Sequence, residues 1–274
     1  MKLSGFADEI SPDLFEQVRV LGSLGMQYVE IRSVWKKNIL TMSDEEWATV
    51  KAMLDQHGIR VSAIASRIGK DDIGADPEQT YRELERAIEA AGWFGTPYIR
   101  IFSFSIPRGD EADRHRHAVL ARMKVMTERA EQAGVILLLE NETGMFGDVP
   151  ERCRDLLHTT ASPCLKLAFD SGNFRQGGVQ PTTDAYPQLA SFIAYVHVKD
   201  IDPVSLDEVP PGDGDAELDS LLRHLNASGY DGFLSLEPHL RNSDYRPDLT
   251  HEELFTLSAN AFKEMLARNK ISWE

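Results

Sequence analysis

The feature that most constrains this chain is a unit that repeats along it: an amphipathic helix, a glycine, and then a short run rich in β-forming residues. The unit is clearest in the segments SLGMQYVEIR, QHGIRVSAIAS, WFGTPYIRIFSF, QAGVILLLEN and SGYDGFLSLEP. A glycine directly after a helix is typical of the left-handed position that a Cβ would strain. We predict eight strands, at residues 3–6, 27–32, 59–65, 98–104, 135–140, 165–170, 194–199 and 233–237. Alternation of strands and helices predicts a parallel sheet, and eight such units predict an α/β fold of the (β/α)8 TIM barrel type, with a doubly wound open sheet as the alternative.

Capping signals at the helix starts support this alternation. Residues 43–46 (SDEE) and 250–253 (THEE) match the capping box, in which two side chains satisfy backbone N–H groups at a helix start. The pairs Asp76-Pro77 and Ser11-Pro12 each match an N-cap followed by a proline in the first helical position. Because no linker or low-complexity segment interrupts the pattern, we predict that residues 1–274 form a single domain.

The charge balance argues against several classes of partner. With 29 basic and 44 acidic residues, the formal net charge is −15, which repels nucleic acid and anionic membranes. No apolar run approaches the roughly 20 residues that span a bilayer, and the N-terminus has no apolar signal segment. Cys153 and Cys164 form no CxxC motif and are expected to be reduced thiols. We therefore expect a cytoplasmic protein that binds a small molecule, with no nucleic acid and no membrane as partner.

Within the predicted strands, polar residues recur at alternate positions, so that they share one face of each strand. Side chains alternate in direction along a strand, so the aliphatic set is expected to face the helices and the polar set to point into the barrel. The charged members fall mostly at the C-terminal ends of the strands, where barrel enzymes build their sites. Four consecutive strands close on Glu140, Asp170, His197 and Glu237.

Three carboxylates that converge without a cation would repel one another. A divalent metal resolves this repulsion, and oxygen-rich ligation with one imidazole suits Mn²⁺, Mg²⁺, Co²⁺ or Zn²⁺. The hard carboxylate oxygens favour Mn²⁺ or Mg²⁺. The sequence thus predicts one divalent metal, with Mn²⁺ as the preferred ion, while ordinary structural ion pairs are the alternative for any single residue.

Three basic residues lie on the same strand faces as the polar residues, and each has two possible roles. Lys199 could hold a substrate oxygen or could pair with Asp200 or another acid. Arg32 and Arg100 could clamp hydroxyls, a carboxylate or a phosphate of a substrate, or could form barrel ion pairs with Glu30 or with each other.

With these residues in place, the chain resembles the xylose isomerase-like TIM barrel superfamily, the sugar phosphate isomerase/epimerase family. The resemblance covers nearly the whole chain and rests on LLLEN, LAFDSGNF, YVHVKD and FLSLEPH, in this order at the ends of strands five to eight. In the ketose 3-epimerase branch the four strand-end residues hold one metal, which implies that role for Glu140, Asp170, His197 and Glu237. The same branch implies that Glu140 and Glu237 are the catalytic acid/base pair, and relatives suggest a homodimer or homotetramer.

The resemblance implies a metal-dependent sugar isomerase or epimerase that removes a proton next to a carbonyl and passes through an enediolate. Metal charge stabilises the developing enediolate, one carboxylate removes the proton, and the other returns it. Return to the same carbon with inversion gives epimerisation, and return to the adjacent carbon gives aldose–ketose isomerisation. The substrate is expected to be a sugar or a polyol-derived molecule.

The chain departs from its relatives at two positions. Many relatives carry a histidine where this chain has Glu142, and many read Asp-x-x-His where this chain has Asp170-Ser-Gly-Asn173. Asn173 is a poor metal ligand but can hydrogen-bond a substrate hydroxyl. His239, just after strand eight, either lines the barrel mouth and binds substrate or is an ordinary loop histidine.

Three alternative functions remain open. A dehydratase or lyase acting on a keto-sugar or keto-inositol would use the same enolisation, with Lys199 as an additional acid or base. Endonuclease IV-type DNA repair needs three zinc ions and extra histidines, one of them where Asn173 stands, so it is disfavoured. A non-catalytic sugar-binding barrel would require a vestigial metal cluster. No glycine-rich phosphate cradle is present, which favours a non-phosphorylated substrate, and residues 201–215 are expected to cap the mouth.

Overall fold

The structure, a computed structural model, describes residues 1–241, 243 and 245–274. Eight strands form the barrel: β1 (Lys2–Gly5), β2 (Tyr28–Ile31), β3 (Arg60–Ala65), β4 (Tyr98–Ile101), β5 (Ile136–Glu140), β6 (Leu165–Asp170), β7 (Ile193–Val198) and β8 (Phe233–Leu236). Among the described residues they make one parallel sheet in the order β1-β8-β7-β6-β5-β4-β3-β2. The end strands β1 and β2 pack against one another, so that the sheet is a nearly closed barrel. The predicted TIM barrel is confirmed.

The described residues also form nine α-helices, most of which follow a barrel strand. They are α1 (Leu14–Ser23), α2 (Asp44–Gln56), α3 (Pro77–Phe94), α4 (Arg116–Ala133), α5 (Pro150–Thr160), α6 (Ser171–Gln176), α7 (Tyr186–Leu189), α8 (Leu218–Ala227) and α9 (His251–Arg268). Two antiparallel hairpins are added at the strand ends, one of Ser33–Val34 with Lys37–Asn38 and one of Asp200–Ile201 with Glu208–Val209. Within the described ranges, no helix has the length and apolar character needed to cross a membrane.

Three of the four predicted helix starts are confirmed. Both capping boxes form, and the Asp76 side chain accepts the backbone N–H of Glu78 ahead of Pro77. The predicted start at Ser11 and Pro12 is wrong. The α1 helix begins two residues later because Asp13 accepts the backbone N–H of Glu16, while the Ser11 hydroxyl accepts the N–H of Asp13 itself.

Strand four is shorter than the sequence predicts. It leaves the barrel after Ile101, because the following backbone pairs with the segment after β3: Phe102 N–H donates to Ile68 O and Phe104 N–H donates to Gly69 O. At Gly69 the backbone has φ +82°, and a Cβ would lie 2.2 Å from the Phe102 carbonyl oxygen. The close approach of these two loops at the C-terminal face of the barrel therefore requires glycine.

The parity prediction for the strands is confirmed. The aliphatic side chains of the strands join the core between barrel and helices, as with Val29, Leu139 and Leu236. Inside the barrel, a small separate core contains Ala63, Leu138, Ala168 and Tyr195. This layer fills the barrel beneath the strand ends, so the polar residues above it are held at one end.

Candidate metal centre

The four strand-end residues singled out in the sequence lie together at the C-terminal end of the barrel. Glu140, Asp170, His197 and Glu237 are all buried, and each offers one ligand atom such that these atoms lie within 4.8 Å of one another. The Nδ1 atom of His197 is 3.3 Å from Glu140 Oε1 and 3.8 Å from both Asp170 Oδ2 and Glu237 Oε2. The arrangement follows from strand order, because β5, β6, β7 and β8 are hydrogen-bonded neighbours.

Two atoms of this cluster test whether it suits a cation. Among the described residues, the buried atoms His197 Nδ1 and Asp170 Oδ2 make no hydrogen bond of good geometry, although Glu140 Oε1 lies 3.3 Å from the first and Lys199 Nζ lies 3.1 Å from the second. Buried polar atoms are nearly always hydrogen-bonded, so two such atoms 3.8 Å apart need an explanation. On its other side, the imidazole places Nε2 3.1 Å from Glu30 Oε2. Such a carboxylate–histidine pair is typical of metal-ligating histidines, and the residues therefore fit a divalent metal.

Without a metal, the protonation of the cluster is set by burial and by its own charges. Burial raises the pKa of Asp170 to about 6, although nearby Lys199 opposes the shift. Burial would lower the pKa of His197, but Glu30 and Glu140 outweigh it and the pKa is raised well above its ordinary value. Without a metal, the protonated His197 ring thus supplies part of the positive charge that a metal would supply.

The proposed acid/base pair is kept ionised by neighbouring cations. Burial would raise the pKa of Glu140, but the charges of His197 and Arg100 hold it well below its usual range. For Glu237, burial is likewise outweighed by Lys199 and then by the two histidines, and its pKa is also well below normal. Both carboxylates are therefore charged at neutral pH, which is the state that binds a metal and accepts a proton.

The two arginines contact these same carboxylates. Arg100 Nη1 lies 2.5 Å from Glu140 Oε2, and Arg32 Nη1 lies 2.9 Å from Glu237 Oε1. Arg32 also donates Nε to Asp8 Oδ2 at 2.8 Å. The alternative that the arginines form barrel ion pairs is confirmed, but the expected partners are wrong: the pairs are with Glu140 and Glu237, while Glu30 faces His197. The side chains of both arginines are mainly buried, and each holds one carboxylate of the proposed acid/base pair.

Lys199 and Asn173 form the side of the cluster near β6 and β7. Lys199 Nζ lies 3.1 Å from Asp170 Oδ2 and 3.4 Å from Glu237 Oε2, and donates to Asn173 Oδ1 at 3.0 Å. Asn173 Nδ2 donates to Glu140 Oε1 at 3.1 Å. Both residues therefore contact proposed metal ligands. The Asn173 amide, which links Lys199 to Glu140 by hydrogen bonds, stands where many relatives have a histidine.

The alternative that Lys199 pairs with an acid is confirmed, since it contacts Asp170 and Glu237, but pairing with Asp200 is wrong. The Asp200 carboxylate turns away and accepts backbone N–H groups of the following loop, from residues Ile201, Gly212, Gly214 and Ala216. It thereby folds the loop onto the end of β7. Within the described ranges, no residue of 201–215 lines the cavity at the cluster, so the expectation that this segment caps the mouth is not met.

His239 lies at the mouth rather than in a remote loop. Its Nδ1 is 2.7 Å from Glu9 Oε1 and its Nε2 is 3.4 Å from Glu237 Oε1. Burial would lower the pKa of His239, but the carboxylates of Glu237 and Glu9 raise it above the ordinary value. A protonated His239 therefore adds positive charge beside Glu237.

A cavity of about 270 Å³ opens onto the cluster, and it separates the four residues into two pairs. Glu140 and Glu237 line it, together with Lys199, Arg32, Arg100 and His239. Asp170 and His197 do not line the described part of this cavity and lie behind Glu140 and Glu237. The two carboxylates that the resemblance assigns to proton transfer are thus the two that a bound molecule could reach.

Several residues at the site were missed at the level of sequence. Glu30 has the right strand parity, and its position one residue before the end of β2 was a usable signal. Asp8 and Glu9 lie in a short 3₁₀ turn after β1, and Arg67 and Lys70 lie in the loop after β3, where no periodic pattern points to a site. Glu142, which replaces a histidine of many relatives, lies 2.8 Å from Lys70 Nζ.

Comparison with known proteins places the chain in a family. The family described as xylose isomerase-like TIM barrel matches residues 18–263. The chain belongs to this family. It is 24% identical over 226 residues to the L-ribulose-5-phosphate 3-epimerase UlaE of Salmonella typhi, covering 79% of each chain. It is 23% identical over 256 residues to inosose dehydratase of Clostridium perfringens, covering 86% of this chain and 79% of the relative.

A solved structure supports the same fold. The structure of the IolI protein with a bound zinc atom superimposes with a TM-score of 0.78 at 19% identity, covering 98% of this chain and 99% of the other. The relatives thus include both epimerases and dehydratases, which supports an enzyme of small-molecule metabolism.

Proposed function

We propose that this protein is a divalent-metal-dependent isomerase or epimerase of a sugar or polyol-derived ketone, acting by proton abstraction next to the carbonyl. The observation that carries the proposal is the geometry of the cluster: four ligand atoms lie within 4.8 Å of one another, and two of the carboxylates line a cavity. Similarity to a sugar-phosphate 3-epimerase supports the reaction class.

In this proposal Glu140, Asp170, His197 and Glu237 hold the metal, with Mn²⁺ as the preferred ion and Mg²⁺, Co²⁺ or Zn²⁺ as alternatives. A bound divalent cation supplies positive charge that makes a proton next to a ketone more acidic. Asp170 and His197, behind the cavity, would serve only as ligands. Glu30 would fix the His197 ring, leaving Nδ1 directed at the carboxylates.

Glu140 and Glu237 then move the proton. Glu140 ends β5 and Glu237 directly follows β8, with β6 and β7 between them, and both carboxylates line the cavity. One carboxylate removes the proton and the other returns it on the opposite face, which inverts the carbon. Arg100 and Arg32 orient the two carboxylates through the oxygen atoms that they contact. Lys199, Asn173 and His239 would bind substrate oxygens at the same end of the barrel.

A dehydratase is the second candidate, and one contact favours it. The Lys199 ammonium lies within 3.4 Å of Glu237 and lines the cavity, so it could donate a proton to a departing hydroxyl group. Similarity to inosose dehydratase supports this outcome. Proton abstraction would be common to both reactions, and only the fate of the intermediate would differ.

A solvent-exchange assay tests both candidates. The protein, stripped with a chelator and reloaded with Mn²⁺, Mg²⁺, Co²⁺ or Zn²⁺, is incubated in D₂O with a panel of ketoses and keto-polyols. Deuterium in an epimer or aldose identifies an isomerase, and a product lighter by one water identifies a dehydratase. Glu140→Gln and Glu237→Gln should each lower turnover by about a hundredfold or more. Glu128→Gln, on the exposed face of α4, is the matched control. Full turnover in both cluster variants would refute the acid/base assignment.

We propose a small-molecule substrate, a cytoplasmic location, and a homodimer or homotetramer as the assembly. Size-exclusion chromatography with light scattering tests the last of these.

A further inference from the structure

The cavity at the cluster has one basic residue on its rim that the proposed mechanism does not use. Arg67 lines the same cavity as Glu140 and Glu237, and its side chain is exposed. It stands two residues after the end of β3, at the C-terminal face of the barrel.

The backbone that carries Arg67 is tightly held. The Ser66 hydroxyl donates to Arg100 O at 2.5 Å and accepts the N–H of Ile68 at 3.2 Å. Phe102 N–H donates to Ile68 O at 2.8 Å, and Gly69 packs against the Phe102 carbonyl. A backbone segment held in this way therefore presents an exposed guanidinium, and little further backbone entropy is lost when that group binds a ligand.

Charge pairing distinguishes Arg67 from the other arginines and lysines of this cavity. Each of the others has a carboxylate within 4 Å: Arg32 has Asp8 and Glu237, Lys70 has Glu142, Arg100 has Glu140, and Lys199 has Asp170. Among the residues that the structure describes, Arg67 has no carboxylate within that distance. Within the described part of the chain, its guanidinium thus forms no salt bridge, although Asp71 and Glu83 line a neighbouring cavity with it.

A cation without a salt bridge at this position is informative because the protein as a whole is acidic. The formal net charge of −15 repels anions from most of the surface. A guanidinium at the rim of the cavity can attract an anionic group locally, and its planar donors match a carboxylate or a phosphate in a bidentate manner.

We propose that the substrate of this site carries an anionic group, a carboxylate or a phosphate, and that Arg67 binds this group at the rim of the cavity. The proposal rests on the proposed function, in that the cavity over Glu140 and Glu237 is taken as the substrate site. Arg67 would thus determine the specificity of the site for an anionic keto-sugar or keto-polyol.

The test compares probes that differ only in charge. Binding of two matched pairs to the Mn²⁺-loaded protein is measured by calorimetry: 2-keto-D-gluconate against D-fructose for a carboxylate, and D-ribulose 5-phosphate against D-ribulose for a phosphate. At least one anionic probe should bind about tenfold more tightly than its neutral partner. Arg67→Gln should remove this preference while leaving the neutral probe within twofold. Arg154→Gln, an exposed arginine of α5 outside the cavities that Arg67 lines, should retain the preference.

The outcomes separate the two sources of charge and the two proposals. A preference confined to one pair identifies the group as carboxylate or phosphate. Absence of any preference, or a preference that survives Arg67→Gln, overturns the inference. Because binding is measured without turnover, an Arg67-dependent preference without deuterium exchange in any ketose would support the anion site and refute the proposed reaction.

Discussion

The imidazole of His197 and the carboxylate of Glu30 face one another inside the barrel, with Nε2 3.1 Å from Oε2 and both side chains fully buried. Glu30 is on β2 and His197 is on β7, so the contact crosses the barrel interior. It determines which ring nitrogen faces the other three carboxylates, since Nε2 faces Glu30 and Nδ1 lies 3.3 to 3.8 Å from Glu140, Asp170 and Glu237. A residue that is not itself among the four candidate ligands therefore orients one of them.

Glu30→Gln should weaken metal binding while leaving all four ligands in place. The neutral amide orients and polarises the imidazole less well, and loss of such a partner typically costs 10- to 100-fold in affinity. Titration with Mn²⁺ in a competing chelator buffer measures the effect, with Glu128→Gln as the control. An unchanged affinity would show that the Glu30–His197 contact does not serve metal binding.

Metal should stabilise the folded protein through the cluster. A ligand that binds only the folded state stabilises it by about 2.7 kcal/mol at a concentration of 100 Kd. The midpoint temperature of thermal unfolding of the unmodified protein should therefore rise as the Mn²⁺ concentration is raised. In Asp170→Asn the shift should be largely lost, because one charged ligand oxygen is replaced. Equal shifts in both proteins would place the metal elsewhere.

Gly69→Ala should be strongly destabilising. The new Cβ would lie 2.2 Å from the Phe102 carbonyl oxygen, and the residue would also have to keep φ +82°. The control is Gly109→Ala, where φ is +93° but no heavy atom lies within 4 Å of the added Cβ. Backbone strain alone is expected to cost about 1 kcal/mol in the control. Urea unfolding should show a clearly larger loss for Gly69→Ala, and similar losses would mean that the loops separate easily.

The ion pair between α4 and α5 should give a pH-dependent contribution to stability. Arg116 donates to both carboxylate oxygens of Asp155 at 2.7 Å, and these hydrogen bonds lower the pKa of Asp155. A lowered folded-state pKa stabilises the protein above the ordinary pKa of about 3.9, and the contribution disappears as pH falls through the folded value. The pair is partly exposed, so the effect should be small.

Unfolding of the unmodified protein and of Asp155→Asn, measured from pH 7 to pH 3, checks this prediction. The unmodified protein should be the more stable at pH 7, and the difference should shrink as the pH approaches 3. A difference that stays constant over this range would assign the effect of the substitution to packing rather than to charge.

Much of the architecture could be predicted from local patterns. The period-2 alternation within strands, the glycines after helices and the two capping boxes depend on residues that are neighbours in the chain. The four cluster residues were found in the same way, because parallel neighbouring strands bring their C-terminal ends together whatever the details of packing. The start of α1 could not be predicted in this way, because Ser11 and Asp13 are both suitable N-cap residues and only the structure shows that Asp13 accepts the N–H of Glu16.

The sequence by itself determined the barrel, its inward and outward faces and the convergence of Glu140, Asp170, His197 and Glu237. Only the tertiary structure decided which charge meets which: Arg100 with Glu140, Arg32 with Glu237, His197 with Glu30, and Arg67 with no carboxylate within 4 Å among the described residues. The alternation of side chains is set over a few residues of backbone, and the strand order follows the succession of strands and helices along the chain. Ion pairing is set by distances of a few ångströms between side chains that barrel closure brings together from far apart in the chain.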